Sequence, residues 1–183
     1  NQAITEHDQT PRFWRCKSTL ARHTDLVFSA NFSPDGQRIV TASYDDTAKV
    51  WNANTGSELA TLTGHTSNVT SAHFSPDGQS IVTASWDHTA RVWDASNGQF
   101  LHTLTGHTGL VLSANFSPDG QSIVTASADR TAKVWDASNG ELLRTLQGHT
   151  YVVKSANFSP DGQRIVTASY DNTAKVWDAS SGI

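Results

Sequence analysis

Four histidines, four Ser-x-Asp triplets and four tryptophans recur along this 183-residue chain in one fixed order. The sets are His23/Ser43/Asp45/Trp51, His65/Ser85/Asp87/Trp93, His107/Ser127/Asp129/Trp135 and His149/Ser169/Asp171/Trp177. Ser, His and Asp are the residue types of nucleophilic acyl transfer, in which His takes the hydroxyl proton and Asp orients the imidazole. One such site needs one set, however, and four sets spaced 42 residues apart describe a building unit rather than a reaction centre. The remaining histidines do not extend the pattern into a metal site. His73 stands where the other units carry Asn31, Asn115 and Asn157, and His102 stands where they carry Ala60 and Arg144. Neither keeps a spacing to a second ligand, so both read as solvated surface, and His7 falls in a polar N-terminal stretch. Glycines occur singly at turns, without a phosphate-binding loop, nucleotide fingerprint or metal motif. The expectation is therefore no enzyme, no catalytic residue, no metal and no cofactor.

The elements that must position these residues follow from the repeat, which takes precedence over local signals. Pro34, Pro76, Pro118 and Pro160 keep the same 42-residue period, and residues 65–106 match residues 107–148 at 31 of 42 positions. Within a unit the apolar period is two. In the third unit, Gly109–Ser117 reads as a strand ending in Ser-Pro-Asp-Gly, where Pro118 presets φ and Gly120 supplies the positive φ that closes a turn. Gln121–Ser127 is a second strand rich in β-branched residues. Asp129-Arg130 connects tightly to a third, Thr131–Asp136. Asn139-Gly140 is a hairpin signal leading to a fourth, Glu141–Gln147. Four short antiparallel strands per unit, without helical periodicity, predict an all-β chain.

This pattern resembles the WD-repeat family, in the highly repetitive tandem-blade form seen in bacterial proteins. Gly64-His65, Gly106-His107 and Gly148-His149 open three units, with Arg22-His23 as the departure in the first. Trp93-Asp94, Trp135-Asp136 and Trp177-Asp178 close three, and Trp51-Asn52 departs. The resemblance spans about residues 20–181 and implies four-stranded blades set radially around a channel, a β-propeller. It also implies a role for the repeated polar set, a hydrogen-bond chain inside each blade. In that chain Asp accepts from one His nitrogen, Ser bonds the other, and the indole N–H donates to Ser, which satisfies the single polar atom of a buried Trp.

Contrast among the units isolates the columns that vary. One lies between Ser and Asp (Tyr44, Trp86, Ala128, Tyr170), and another follows Asp (Asp46, His88, Arg130, Asn172). A third follows His-Thr (Asp25, Ser67, Gly109, Tyr151), and a fourth lies in the first strand (Phe28, Thr70, Leu112, Lys154). By the resemblance all four lie on or near one loop face and the channel mouth. Tyr, Trp and Arg are the types enriched at binding hot spots, so these columns are the candidate partner-binding face, set against drift of exposed positions between duplicated units. Arg38, Arg130 and Lys154 form no basic stripe, which argues against nucleic acid.

Composition bounds the rest. The net charge is −4, 37% of residues are hydrophobic and 16% charged, and no apolar run approaches the ~20 residues that span a bilayer. The single cysteine, Cys16, excludes an intrachain disulfide framework and predicts a reducing, cytoplasmic setting. The absence of methionine points to a longer parent polypeptide. The expected organisation is a tail or linker at 1–11, an orphan outer strand at 12–22, and blades at 23–64, 65–106, 107–148 and 149–183, the last without its outer strand. Shifting by 126 residues places Leu20 on Leu146, Thr19 on Thr145 and Cys16 on Leu142. An orphan strand at one end and a missing one at the other predict a homodimer closing an eight-bladed ring. The expected function is a non-catalytic scaffold for a protein or peptide partner, without nucleic acid or membrane. The alternatives are a designed or excised repeat array with a purely structural role, and an enzyme, which no constellation supports.

Overall fold

The computed structural model describes residues 15–179. Among them lie fifteen strands and no helix. Blade 1 contains β1 (Val27–Phe32), β2 (Arg38–Ser43), β3 (Ala48–Asn52) and β4 (Glu58–Leu62). Blade 2 contains β5 (Val69–Phe74), β6 (Ser80–Ser85), β7 (Thr89–Asp94) and β8 (Phe100–Thr105). Blade 3 contains β9 (Val111–Phe116), β10 (Ser122–Ser127), β11 (Thr131–Asp136) and β12 (Leu142–Gln147). Blade 4 contains β13 (Val153–Phe158), β14 (Arg164–Ser169) and β15 (Ala174–Asp178). Each blade is an antiparallel meander in chain order. The innermost strands β1, β5, β9 and β13 pack successively against one another.

Turn chemistry sets the register. In the first hairpin Gly36 N–H donates to Ser33 O at 2.8 Å, and Gly36 takes φ +69°. Ser33 Oγ bonds Asp35 Oδ1 at 2.5 Å and accepts from Arg38 N–H at 2.9 Å, so the Ser-Pro-Asp-Gly turn closes on its own side chains. The same bonds recur in the other three units. The second hairpin differs. Its three-residue loop ends in a left-handed residue, as a type I turn followed by a bulge requires, and that residue is Asp46, His88, Arg130 or Asn172, with φ from 65° to 72°.

The strand period of two assigns each side chain to one blade face. In β6, Ile81, Thr83 and Ser85 share the face turned to blade 1, and Val82 and Ala84 face blade 3. Val40, Ala42, Ala48, Val50 and Leu62 of blade 1 therefore pack on Val69, Ala72, Ile81 and Trp93 of blade 2. The equivalent residues fill the next two interfaces. The core lies between blades, not within them, so both faces of a blade must be apolar and a lone blade could not bury them.

The two ends of the arc lack that cover. Val176 is 67% exposed where its equivalent Val92 is 1% exposed, and Val27 is 49% exposed where Val69 is 0%. Residues 15–22 lie outside any strand. The sequence places an outer strand there, but a strand requires a ladder partner and this segment has none among the described residues. Residues 1–11, the expected tail, lie outside the described residues, as do 12–14 of the expected outer strand.

Candidate functional site

The repeated polar set is assembled from three elements: the His linker that enters each blade, the second strand, and the hairpin carrying Asp. His65 Nδ1–H donates to Asp87 Oδ2 at 2.7 Å, and Trp93 Nε1–H donates to a hydroxyl at 2.9 Å. That hydroxyl belongs to Thr83, not to Ser85, and Thr83 Oγ1 also lies 2.7 Å from His65 Nε2. The chain therefore runs indole, threonine, imidazole, carboxylate, with each group's donor and acceptor used once. Thr41, Thr125 and Thr167 occupy the same place in the other blades, at 2.7 Å from His23, His107 and His149. Their hydroxyls accept from Trp51, Trp135 and Trp177 at 2.8, 2.8 and 2.9 Å.

The serines of the expected chain, Ser43, Ser85, Ser127 and Ser169, do different work. Ser85 Oγ donates to Ser67 O at 2.8 Å and accepts from Asp87 N–H at 3.1 Å. The other three bond Asp25, Gly109 and Tyr151 carbonyls in the same way. The reason is local. Thr and Ser two residues apart share a face, but Ser sits at the strand end, where nearby backbone groups capture a short hydroxyl side chain. Thr lies deeper, next to the Ile position that pairs with Trp, where the indole and imidazole converge. The sequence signal was available, since Thr-Ala-Ser occurs in all four units.

The carboxylates are strongly stabilised as anions. Burial alone would raise the Asp45 pKa, but hydrogen bonds from Thr47, His23 and the Thr24 N–H outweigh it and bring it to about 2. Asp87 and Asp129 show the same contest and are held well below the ordinary range by His65 and Thr89, and by His107 and Thr131. For Asp171 the Thr173 hydroxyl is the largest influence, with His149 adding to it. Each Asp spans two segments. Asp45 Oδ1 accepts from Thr47 Oγ1 at 2.6 Å, and its Oδ2 accepts from Thr24 N–H at 3.1 Å. Ser-His-Asp proximity of the hydrolytic kind is not formed, because each His reaches Thr and each Thr is closed off by Trp.

Of the four variable columns, the structure brings two together. Phe28, Thr70, Leu112 and Lys154 meet Tyr44, Trp86, Ala128 and Tyr170 around one concavity of about 370 Å³ at one mouth of the channel. Leu110 and Val152 complete its lining. Contrast among the units passed over these two, although their column also varies (Leu26, Asn68, Leu110, Val152). Phe28 and Tyr44 stack at 5.2 Å with 14° between planes, and Trp86 lies 5.2 Å from Tyr44. Lys154 Nζ sits 5.5 Å from the Phe28 ring centre, within cation–π reach. It is the sole charged side chain in the lining. Trp86 Nε1 is enclosed and has no acceptor among the described residues. Thr70 is different in kind: it is buried, and its hydroxyl reaches Val111 O at 3.1 Å, so its place is structural.

The other two columns lie outside the concavity. Asp46, His88, Arg130 and Asn172 are the left-handed hairpin residues. Asp25 and Tyr151 are exposed in the loop after His. Two histidines read as solvated are also placed differently. His73 lines the opposite mouth with Asn115, Asn157 and the repeated Phe-Ser-Pro segments, and burial lowers its pKa. His102 packs against Gly140, where a Cβ would lie 2.8 Å from its ring. Among the described residues no group of three or more His, Cys, Asp or Glu is arranged to hold a metal ion.

Comparison with known proteins agrees with this architecture. The family model described as "WD domain, G-beta repeat" matches residues 14–52, 56–94, 98–136 and 140–178. The second, third and fourth matches open just before the outer strand of one blade and end at the Trp-Asp close of the next, the offset that the strand order shows. Protein CIA1 of Arabidopsis thaliana is 45% identical over 56 residues, covering 30% of this chain and 16% of that protein. Protein Notchless of Drosophila melanogaster is 44% identical over 41 residues, covering 22% and 8%. Protein Mut11 of Chlamydomonas reinhardtii is 40% identical over 48 residues, covering 26% and 13%. The matched segments thus span under a fifth of these curated relatives. With four matched repeats in register, the chain belongs to the WD domain, G-beta repeat family.

Proposed function

We propose that this chain is a non-catalytic interaction scaffold that holds a protein or peptide segment at the channel mouth lined by Phe28, Tyr44, Trp86, Lys154 and Tyr170. The observation that carries the reading is convergence. Residues that differ from unit to unit, while the surrounding framework repeats, meet in one concavity of about 370 Å³. Rigid aromatic side chains give large contact area at low entropic cost. The single cation in the lining favours a ligand with an acidic group beside an apolar or aromatic one. The lack of a basic stripe favours a protein or peptide over nucleic acid, and the lone cysteine suits a reducing compartment such as the cytoplasm.

We also read the arc as half of an eight-bladed ring completed by a second copy. In that ring the mouth would be lined twice, once by each copy.

The test is selection from a random peptide display library on the purified chain. Enriched peptides should carry an acidic residue next to aromatic or aliphatic ones. Their binding should weaken at least about tenfold, roughly 1.4 kcal/mol, in Trp86→Ala and in Lys154→Glu, with thermal unfolding unchanged. A library that enriches nothing, or binders indifferent to both substitutions, would leave only the structural reading of the array.

A further inference from the structure

Arg38 belongs to a column in which blades 2 and 3 carry Ser80 and Ser122. Its guanidinium lies in the seam between blades 1 and 2, beside Phe74, which lines the mouth opposite the aromatic one. Nη1 donates to Ala95 O and Nη2 to Gly78 O, at 2.6 Å each. Cζ stands 5.1 Å from the centre of the Phe74 ring. Two carbonyls fixed by two neighbouring hairpins, with an aromatic ring beside them, suit a planar fork of N–H donors, and a lysine ammonium has no such plane. The fold thus builds a guanidinium seat here and fills it with a side chain of its own.

The repeat builds the same seat between blades 2 and 3. Gly78, Ala95 and Phe74 become Gly120, Ala137 and Phe116, and Ser80 takes the place of Arg38. All four line one concavity of about 200 Å³. The backbone repeats as well. Gly78 and Gly120 take φ +71° and +73°, and the N–H groups of Ala95 and Ala137 donate to Gln79 O and Gln121 O at 2.9 Å each. What differs is the side chain in the seam. A Cβ on Gly78 would meet Arg38 Nη2 at 3.4 Å and Pro34 Cδ at 3.6 Å, but within 4 Å a Cβ on Gly120 would meet only Pro76 Cδ, at 3.6 Å. Asp77 and Asp119 add two carboxylates to the lining, and among the described residues no Lys or Arg belongs to it. His102 reaches the Ala137 carbonyl from outside the lining, and a carbonyl oxygen accepts two bonds. The equivalent concavity between blades 3 and 4 is lined also by Arg144 of the chain itself, which sets it apart.

We propose that the concavity between blades 2 and 3 is a binding site for a guanidinium group, carried by an arginine side chain of a partner or by a small guanidine compound. Two N–H groups of the ligand donate to Gly120 O and Ala137 O, as Arg38 donates to Gly78 O and Ala95 O. Phe116 takes the role of Phe74, and the carboxylates of Asp77 and Asp119 attract the ligand's charge. Selectivity comes from the pair of carbonyls, because a flat fork satisfies both at once and a point charge does not. No residue lines both this site and the aromatic mouth, so either can fail alone.

Amide spectra of the isotope-labelled chain test the site with three probes: methylguanidine, N-acetyl-arginine amide and N-acetyl-lysine amide. A bond to the Gly120 or Ala137 carbonyl perturbs the N–H of the same peptide group, which belongs to Gln121 or Ser138. Saturable shifts of those two amides are expected with the guanidinium probes, at a Kd at least about tenfold below that of the lysine probe. A response to methylguanidine alone assigns the site to small guanidine compounds, and a response to the arginine probe assigns it to an arginine side chain. Ser80→Arg places a fork from the chain itself in the seam and is expected to abolish the response while raising the thermal midpoint. Silence of Gln121 and Ser138 toward both guanidinium probes overturns the proposal, and so does equal affinity for the lysine probe. A folded Ser80→Arg chain that still responds overturns it too. Should that variant fail to fold, the titration of the wild-type chain decides by itself.

Discussion

Trp93 and His65 are joined through a single oxygen: Thr83 Oγ1 lies 2.9 Å from the indole nitrogen and 2.7 Å from His65 Nε2. Thr83 is fully buried, so neither ring nitrogen can turn to water if that oxygen is removed. The threonine is thus the hinge of the polar chain in every blade.

Thr125→Val should expose the consequence. The substitution keeps shape but leaves Trp135 Nε1 and His107 Nε2 buried without partners. At about 1–3 kcal/mol for each, the expected loss is about 2–6 kcal/mol. Ser127→Ala removes a bond to the Gly109 carbonyl and one from the Asp129 N–H at the strand end, and should cost about 1–2 kcal/mol. Urea unfolding of the two variants compares them directly. If Ser127→Ala proved the more damaging, the assignment of threonine to the chain would fail.

Acid stability follows from the four carboxylates. Their folded pKa values lie below the unfolded value, that of Asp45 at about 2 against 3.8. Stability from such groups is full above the unfolded pKa and is lost as pH falls through the folded one. Unfolding free energy should therefore drop between about pH 4 and pH 2. Asp45 alone should account for about 1–2 kcal/mol of it, after allowing for its partial contact with solvent. Asp45→Asn should lower stability at pH 7 and flatten the acid limb. A variant with an acid limb as steep as wild type would show that this carboxylate is not a source of the pH dependence.

Arg130 sits at φ 72°, a conformation that costs an ordinary L-residue roughly 1–2 kcal/mol. Arg130→Gly relieves that cost but adds backbone entropy to the unfolded chain. The net expectation is a gain of up to about 1 kcal/mol, and Arg130→Val should be destabilising, because a β-branched residue tolerates this region worst. Denaturant midpoints rank the three. A valine variant as stable as glycine would contradict the left-handed hairpin.

Arg38 joins blades 1 and 2 through Gly78 O and Ala95 O and lies 5.1 Å from the Phe74 ring centre. Blades 2 and 3 carry Ser80 and Ser122 at this position. Arg38→Ser should cost about 1–3 kcal/mol, because it removes two charge-assisted bonds and the cation–π attraction to Phe74 from a partly exposed site. Hydrogen exchange should quicken in β2 and β5 before β11 and β12. Uniform acceleration along the chain would mean that the clamp is not local to this interface.

Several features were legible in the residues. The period of two, the Ser-Pro-Asp-Gly turns and the repeated Trp fixed the number of blades and the strand limits to within one or two residues, because turn geometry is a local matter. The polar chain was legible in three of its four members. His, Asp and Trp of the chain each recur at the 42-residue period in all four units. The hydroxyl had two candidates, Thr and Ser on one face, and choosing between them needed the depth of each along the strand. The hairpin column of Asp46, His88, Arg130 and Asn172 was read only as variable. Its left-handed backbone went unread because none of the four is glycine.

By itself the sequence determined the repeat, and with it the all-β blades and the turns. These depend on contacts within one hairpin or on the strand period, which any unit carries in full. The tertiary structure decided that Thr, not Ser, links His to Trp, that two of four variable columns meet at the mouth, and that Thr70 is spent on backbone carbonyls. It also decided that Ser18 and Leu20 lie against Gly56, as Ala60 and Leu62 lie against Gly98. Each of these depends on contacts between blades or along the depth of a strand, distances that a linear spacing of 42 does not encode.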